Sequence, residues 1–522
     1  MKKTLSIYGS HDASVTFVDY TGKIRVLEYE RFVKQRYAAF TKKMAHRNGL
    51  GTTDIQRREF LQYIKNHING SITTVLYNEL VKSDLDMISE YFPNTKFKVM
   101  EHHMSHAASG FYQSKFEEAL IVSIDGGGID FDGVTTTRAY FGSKSGIDSI
   151  TKIDVNLGVV YSSLGAPISE VKAGTDSDKF SLVYAGKLMG LCAYGNVRED
   201  WLTAMRAFYY TGNLVQLGNA IGLKLSMNNI KGQNSYDLAA TSQFVFEERA
   251  FEILKPLLVK RNYPNVVLVG GCALNVLFNQ KLADYLVLHN CELYVPPNPN
   301  DCGLSLGQFL LESQHHTNAL TYNGFELLDI LELGDYIVEY DATPIDEKGI
   351  VKLLKSGNII GMVTGDSEIG PRALGNRSII CDPSFPDMKD TLNAKVKFRE
   401  WFRPFAPVCR LDDSKKYFND VFESPCMSYA PTINDTYKTE LASITHADNT
   451  ARLQTITEVQ HCGLYDILTE LDNQGYIPVI LNTSFNIRGL PILTTIADAL
   501  YALENTQMDY VIVNAFLFQK KR

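Results

Sequence analysis

Glu101-His102-His103-Met104-Ser105-His106 is the stretch of this sequence with the most chemistry in it. It follows Lys96–Met100, which reads as a strand. A helix starting at Glu101 places His102 and His106 one turn apart on one face, with Cβ atoms about 5–6 Å apart. Two imidazoles at that spacing can share one metal ion. Two nitrogens leave the coordination incomplete, so carboxylates must come from other segments. The candidates are Asp125, at the end of the apolar run 119–124, and Asp301, in Pro299-Asn300-Asp301-Cys302-Gly303. Mixed imidazole and carboxylate ligation suits iron(II), zinc or manganese. Taken alone, His-x-x-x-His fits a helix with surface histidines better.

A second group of residues is cationic. Lys395, Lys397, Arg399, Arg403 and Arg410 stand against a single Glu400 between 391 and 410. Arg372 and Arg377 precede them in Gly370-Pro371-Arg372-Ala373-Leu374-Gly375-Asn376-Arg377-Ser378, and Arg452 follows. Guanidinium forks grip phosphates bidentately, and lysine adds a point charge. Solvated surface charge is the usual reading of such a run. Interleaved Trp401, Phe402, Pro404 and Phe405 make a simple exposed helix face a poor fit. Asn482-Thr483-Ser484-Phe485-Asn486 ends the strand 479–481, where α/β proteins commonly hold ligands. A capped turn explains it equally well.

The elements that must position these side chains are strands and helices in alternation. Strand, polar loop, strand, glycine turn, strand is the plan of residues 5–29, and it recurs at 119–155. Two such units suggest an internal duplication. Residues 53–69 and 80–91 read as helices. The strand 265–269 ends in Gly270-Gly271 and feeds a helical stretch, a frequent phosphate site although weak evidence by itself. Residues 324–343 are acidic and loosely patterned, which sets a domain boundary near 340. A new α/β unit follows, with strands at 359–363, 479–481 and 510–514 and helices near 388–394, 465–474 and 495–504. The expected domains are therefore 1–340 and 341–522.

The 522 residues are 45% hydrophobic and 21% charged, a globular composition that excludes a mainly disordered chain. A net charge of -8 excludes a polybasic nucleic-acid or membrane-surface coat, while a local basic groove stays open. No run approaches the roughly 18 apolar residues of a membrane span, and Met1-Lys2-Lys3 leads into no apolar signal core. Eight scattered cysteines without Cys-x-x-Cys spacing suggest reduced thiols, so the expected location is the cytoplasm. Walker, Rossmann, nucleophile-elbow and kinase motifs are missing.

In this order the pieces resemble the O-carbamoyltransferase family of NodU, cephalosporin carbamoyltransferase and TobZ. The resemblance rests on segments 9–14, 30–32, 101–109, 123–128, 186–195, 270–275, 300–303, 368–378, 397–407, 446–454 and 482–486. Glu-x-Gly-Pro-Arg-Ala-Leu-Gly-Asn-Arg-Ser and Lys-Phe-Arg-Glu-x-x-Arg-Pro-Phe-Ala-Pro are the specific ones. The resemblance implies an α/β fold in two parts. The first is an actin-like ATPase (Kae1-like) domain with duplicated lobes, and the second is a YrdC-like domain.

The resemblance also implies a function: carbamoyl adenylate is made from ATP and carbamoyl phosphate, then its carbamoyl group passes to an acceptor hydroxyl. His102, His106, Asp125 and Asp301 match ligands of iron(II) or another divalent metal, and Mg2+ accompanies ATP. His11 matches a histidine acting at the acceptor, and Lys397 and Arg399 match catalytic cations. Arg372, Arg403, Arg452, Asn482 and Ser484 match the lining for ATP and carbamoyl phosphate. Lys187, Gly270, Gly271 and Asn275 match the adenylate-holding part of the first domain. The expected partners are ATP, carbamoyl phosphate and an alcohol, with DNA through a hydroxymethylated base and a homodimer both left open. The family usually carries Arg where this chain has Asp366. A tRNA threonylcarbamoyl-type transferase and a non-catalytic nucleotide-binding protein are the competing readings.

Overall fold

The computed structural model describes residues 3–44, 50–68, 70–172, 182–225, 229–261, 265–317 and 320–521. The chain forms two compact units: Met1–Ile24 with Tyr37–Asn318, and Arg25–Arg36 with Ala319–Arg522. The division falls ahead of the expected boundary near 340, and residues 25–36 belong with the second unit. Packing explains both corrections. The Asn323 carbonyl accepts the Val26 N–H at 2.9 Å, and Leu327 lies in the core of the second unit. The acidic stretch is also more ordered than its composition suggests. Leu333–Tyr340 is a helix whose Leu333, Ile337 and Tyr340 pack on that core.

Strands β1 (Thr4–Tyr8), β2 (Ser14–Val18), β4 (Thr74–Asn78) and β5 (Lys96–Met100) build the first sheet of the first unit, and β3 (Ile24–Glu28) leads the chain out of it. The order is β2-β1-β4-β5. β1 pairs antiparallel with β2 and parallel with β4, which is parallel to β5. The second sheet comprises β6 (Ala119–Asp130), β7 (Gly133–Ser143), β8 (Gly146–Ile153), β9 (Asn265–Val269) and β10 (Glu292–Tyr294). Its order, β8-β7-β6-β9-β10, repeats the plan: β6 hairpins with β7 and carries β9 and then β10 in parallel. The duplication read from the hairpins is therefore present in the topology. The helix expected at 53–69 is Asp54–His67, capped by Thr53 and Gln56 reciprocally; Asn69 lies outside the described residues.

The second unit is one mixed sheet in the order β11-β18-β17-β12-β13-β16-β14-β15. Its strands are β11 (Thr343–Pro344), β12 (Ile360–Val363), β13 (Arg377–Cys381), β14 (Ala406–Arg410), β15 (Gln454–Ile456), β16 (Val479–Ser484), β17 (Tyr510–Val513) and β18 (Phe516–Gln519). Side chains alternate between two cores. Ile360, Ile380, Ile480 and Ile512 meet the helices Glu347–Lys355 and Cys462–Asn473 on one face. Val363, Ile379, Leu481 and Val513 meet the helix Ile496–Asn505 on the other. No helix of the described residues is long and apolar enough to cross a membrane.

Candidate functional site

Two clusters of functional side chains form, one within each unit. In the first unit, β5 gives way at Glu101 to the helix His102–Gln113, so His102 and His106 occupy its first turn and a half. Their rings lie 4.8 Å apart, centre to centre. Asp125 sits in β6 where the register with β7 slips between Ile124 and Gly128. That irregularity turns its carboxylate toward the helix. Asp301 opens the turn Asp301–Gly303 ahead of the helix Leu304–Ser313. A Cβ on Gly307 would stand 1.8 Å from the Ser105 carbonyl oxygen. Glycine there lets the two helices cross closely and sets Asp301 beside His106.

One donor atom from each of His102, His106, Asp125 and Asp301 lies within 4.8 Å of the other three, and all four residues are buried. His102 Nε2 is 3.2 Å from Asp125 Oδ2, and His106 Nε2 is 3.3 Å from Asp301 Oδ1. His106 Nε2 is nonetheless buried without a hydrogen bond. Two imidazole nitrogens and two carboxylates converging in the interior, one nitrogen unspent, fit a borderline divalent cation. Burial works to raise the Asp125 carboxyl, but the His102 hydrogen bond and the charge of His106 and His102 hold it well below the usual range. Asp301 is lowered as well: burial and Asp125 oppose the shift, and His102 and His11 produce it.

Three neighbours complete this cluster. The Tyr8 hydroxyl, at the end of β1, donates to Asp301 Oδ2. His11 places Nε2 3.6 Å from the same oxygen and Nδ1 3.0 Å from Asp12. Burial opposes protonation of His11, but Asp301 and Asp12 outweigh it and push the imidazole up to about 9. His103 turns away and pairs with Asp130 at 2.9 Å. Gly128 matters for space: a Cβ there would fall 2.0 Å from the His102 ring. Neither Tyr8 nor Gly128 gives a signal in the sequence, because both act through tertiary contact.

The glycine loop lies next to this cluster. The Gly271 N–H donates to Asp125 Oδ1 at 2.8 Å. Gly270 has φ +88°, and a Cβ on it would meet the Ile124 carbonyl oxygen at 2.3 Å, so only glycine fits. Asn275 caps the helix Val276–Val287 and exchanges hydrogen bonds with Gln243. Lys187, buried on the helix Leu182–Leu191, donates to the Val171 carbonyl at 2.9 Å.

In the second unit the cations gather. Lys397 Nζ donates to the Ser484 carbonyl at 2.6 Å, to Ser484 Oγ at 3.2 Å, and to the Asn486 carbonyl at 2.9 Å. Burial, followed by the charges of Arg399, Arg403 and Arg36, pulls its ammonium well below the usual lysine range. Arg452 is lowered by burial and then by Arg372, Arg399 and Arg403. Arg372 falls to about 10 through burial and Arg403. These mutual effects require the cations to be neighbours. Glu400 lies 3.7 Å from Arg403, while neither Arg372 nor Arg452 has an ion-pair partner among the described residues. An excess of half-buried positive charge can neutralise a polyanion. Arg36, absent from the expected set, arrives on the 25–36 excursion.

The loop bearing Arg372 is clamped from below. Buried Glu368 accepts the N–H groups of Leu374 at 2.6 Å and of Asn376 and Arg377 at 3.2 Å. Arg31 donates to the Glu368 and Gly370 carbonyls, each at 2.6 Å. Asp366, where an arginine was expected, pairs with Arg25 at 2.7 Å. Asn482 and Ser484 lie within β16 itself, which runs past the expected end at 481.

The sequence matches the family described as carbamoyltransferase N-terminus over residues 91–310 and carbamoyltransferase C-terminus over 351–520. Nodulation protein NolO of Bradyrhizobium diazoefficiens is 30% identical over 449 residues, 81% of this chain and 79% of that protein. An uncharacterized protein of Methanocaldococcus jannaschii is 30% identical over 451 residues, 82% of this chain and 84% of that one. Nodulation protein U of Rhizobium tropici is 27% identical over 486 residues, 88% of this chain and 81% of that protein.

Proposed function

The chain belongs to the carbamoyltransferase family, and from that membership we propose that it is an ATP-dependent O-carbamoyltransferase. The second unit, read as YrdC-like, makes carbamoyl adenylate, and the first, read as Kae1-like and actin-related, passes the carbamoyl group to an alcohol. One observation carries the reading. The four metal-type ligands converge in the first unit, and five of the eight cations singled out in the sequence converge in the second, while Arg377 binds backbone carbonyls and Arg410 pairs with Asp413 and Asp472.

In the second unit, carbamoyl phosphate loses its phosphate to water, and the resulting carbamate oxygen bonds the α-phosphorus of Mg2+-bound ATP. Pyrophosphate leaves with the electrons of the broken P–O bond. Lys397, Arg372, Arg399, Arg403 and Arg452 are placed to neutralise these anions without covalent participation. In the first unit, His102, His106, Asp125 and Asp301 would hold iron(II) or a similar divalent ion. When bound, that ion supplies Lewis acidity toward a carbonyl oxygen. His11 Nε2 takes the proton of the acceptor hydroxyl as its oxygen bonds the carbamoyl carbon and AMP departs. Asp301 and Asp12 together hold a proton on His11, so engaging the Asp301 charge elsewhere favours the base form of His11.

The test is exchange of labelled pyrophosphate into ATP. Exchange that depends on carbamoyl phosphate is expected; its absence refutes the adenylate step. Screening sugars, other alcohols and hydroxymethylcytosine DNA for a carbamoyl mass gain then identifies the acceptor.

A further inference from the structure

The helix His102–Gln113 brings no cap of its own. Glu101 stands at its N-cap position, but the Glu101 side chain accepts no N–H of the first turn. Its Oε1 receives the Phe131 N–H instead, at 3.1 Å. His102 is the first residue of this helix, so a first turn that frays carries His102 away with it. The missing acceptor comes from β6. Asp130 Oδ1 accepts the His103 N–H at 3.0 Å, and Asp130 Oδ2 lies 2.9 Å from His103 Nδ1. A carboxylate there satisfies a first-turn N–H and sets negative charge at the positive end of the helix dipole. Both residues are buried.

The arm that delivers Asp130 is itself well placed. Past the slip in β6, pairing with β7 resumes: Gly128 opposes Thr135, Ile129 opposes Val134, and Asp130 opposes Gly133. Gly128 and Asp130 are two residues apart and share one face. Gly128 lies against the His102 ring, and Asp130 reaches His103. Arg138 of β7 donates Nε to Asp130 Oδ2 at 2.9 Å and bonds Asp132 with the rest of its fork. We propose that Asp130 is a positioning residue for the metal cluster: it caps the helix from β6 and thereby holds His102 beside His106, Asp125 and Asp301. It acts through the backbone and ring of His103, a residue the cluster does not otherwise use. The inference rests on the reading of those four side chains as metal ligands.

Titration of the full-length protein with cobalt(II), in competition with a chelator, tests it, and the visible absorption of bound cobalt reports the ligand set. Asp130→Ala binds cobalt about 10–100-fold more weakly, with an altered absorption spectrum. Asp130→Asn keeps a carbonyl oxygen for the His103 N–H and stays within about threefold of the wild type. Arg138→Gln leaves the cap in place and keeps the wild-type affinity and spectrum, even where it lowers thermal stability. Unchanged affinity in Asp130→Ala, or equal losses in Asp130→Ala and Asp130→Asn, overturns the proposal. So does a loss in Arg138→Gln as large as in Asp130→Ala, because hairpin stability alone would then explain the effect. Should circular dichroism show Asp130→Ala unfolded, hydrogen exchange in the metal-free wild type decides. The His103 amide exchanges at least about tenfold more slowly than in an unstructured chain, and exchange at the unstructured rate overturns the cap. A wild type that binds no cobalt refutes the metal reading and the inference with it. Wild-type binding that Asp130→Ala leaves intact refutes the role of Asp130 alone.

Discussion

The His102–His106 pair was legible in the sequence because i,i+4 spacing is a local property of a helix. Tyr8 was not, because its role depends on β1 ending beside a turn almost three hundred positions away. By donating to Asp301 Oδ2, the Tyr8 hydroxyl fixes which oxygen faces His106. Such supporting bonds are commonly worth about 10–100-fold in metal affinity. Tyr8→Phe should therefore bind iron(II) about 10–100-fold more weakly with little change in thermal stability, measured by competition with a chelator. Lys397 gives a second prediction, on pH. Burial and then Arg399, Arg403 and Arg36 depress its proton affinity in the empty site, and a bound polyanion restores it. Binding of ATP or pyrophosphate must then take up a proton once pH exceeds the depressed value. Affinity should fall as pH rises, by up to about tenfold per unit, from that value toward the ordinary lysine range near 10.4. Calorimetry in two buffers of different ionisation enthalpy measures the uptake; proton release would contradict it.

The two hairpins were readable as elements because strand alternation and glycine turns are short-range signals, and the sheet orders repeat accordingly. The helix Leu333–Tyr340 was obscured by its acidic residues: its apolar side chains pack on a core made mainly of residues far along the chain. Asn and Ser disfavour strands, so the sequence sets the end of β16 at Leu481, but β14 extends the pairing to Asn482 and β13 to Ser484. Gly128 illustrates an element yielding to a site. It lies in β6, where a glycine costs strand stability, and the gain is room for the His102 ring. Gly128→Ala should push that ring off its position and lower metal affinity by more than about tenfold, while far-ultraviolet circular dichroism stays native. Wild-type affinity in this variant would mean that His102 does not need the space.

At the scale of the molecule, composition located two α/β units but not their limits. The buried Arg31 and Glu28 belong to the second unit through contacts with Glu368 and Gly370 that no local pattern announces. Each unit holds a complete set of one kind of side chain: imidazole and carboxylate in the first, guanidinium and ammonium in the second. The two half-reactions should therefore separate genetically. Asp301→Ala removes one of the four converging side chains proposed to hold the metal and should lower carbamoyl transfer by more than about a hundredfold, together with metal content. Carbamoyl-phosphate-dependent pyrophosphate exchange should persist in that variant, because no residue of the cation cluster is touched. Arg399→Ala should act in the opposite sense, on the proposed adenylate formation. It should depress exchange and overall transfer in parallel while leaving bound metal at the wild-type level. Loss of exchange in Asp301→Ala, matching its loss of transfer, would show that the two chemistries share one set of side chains.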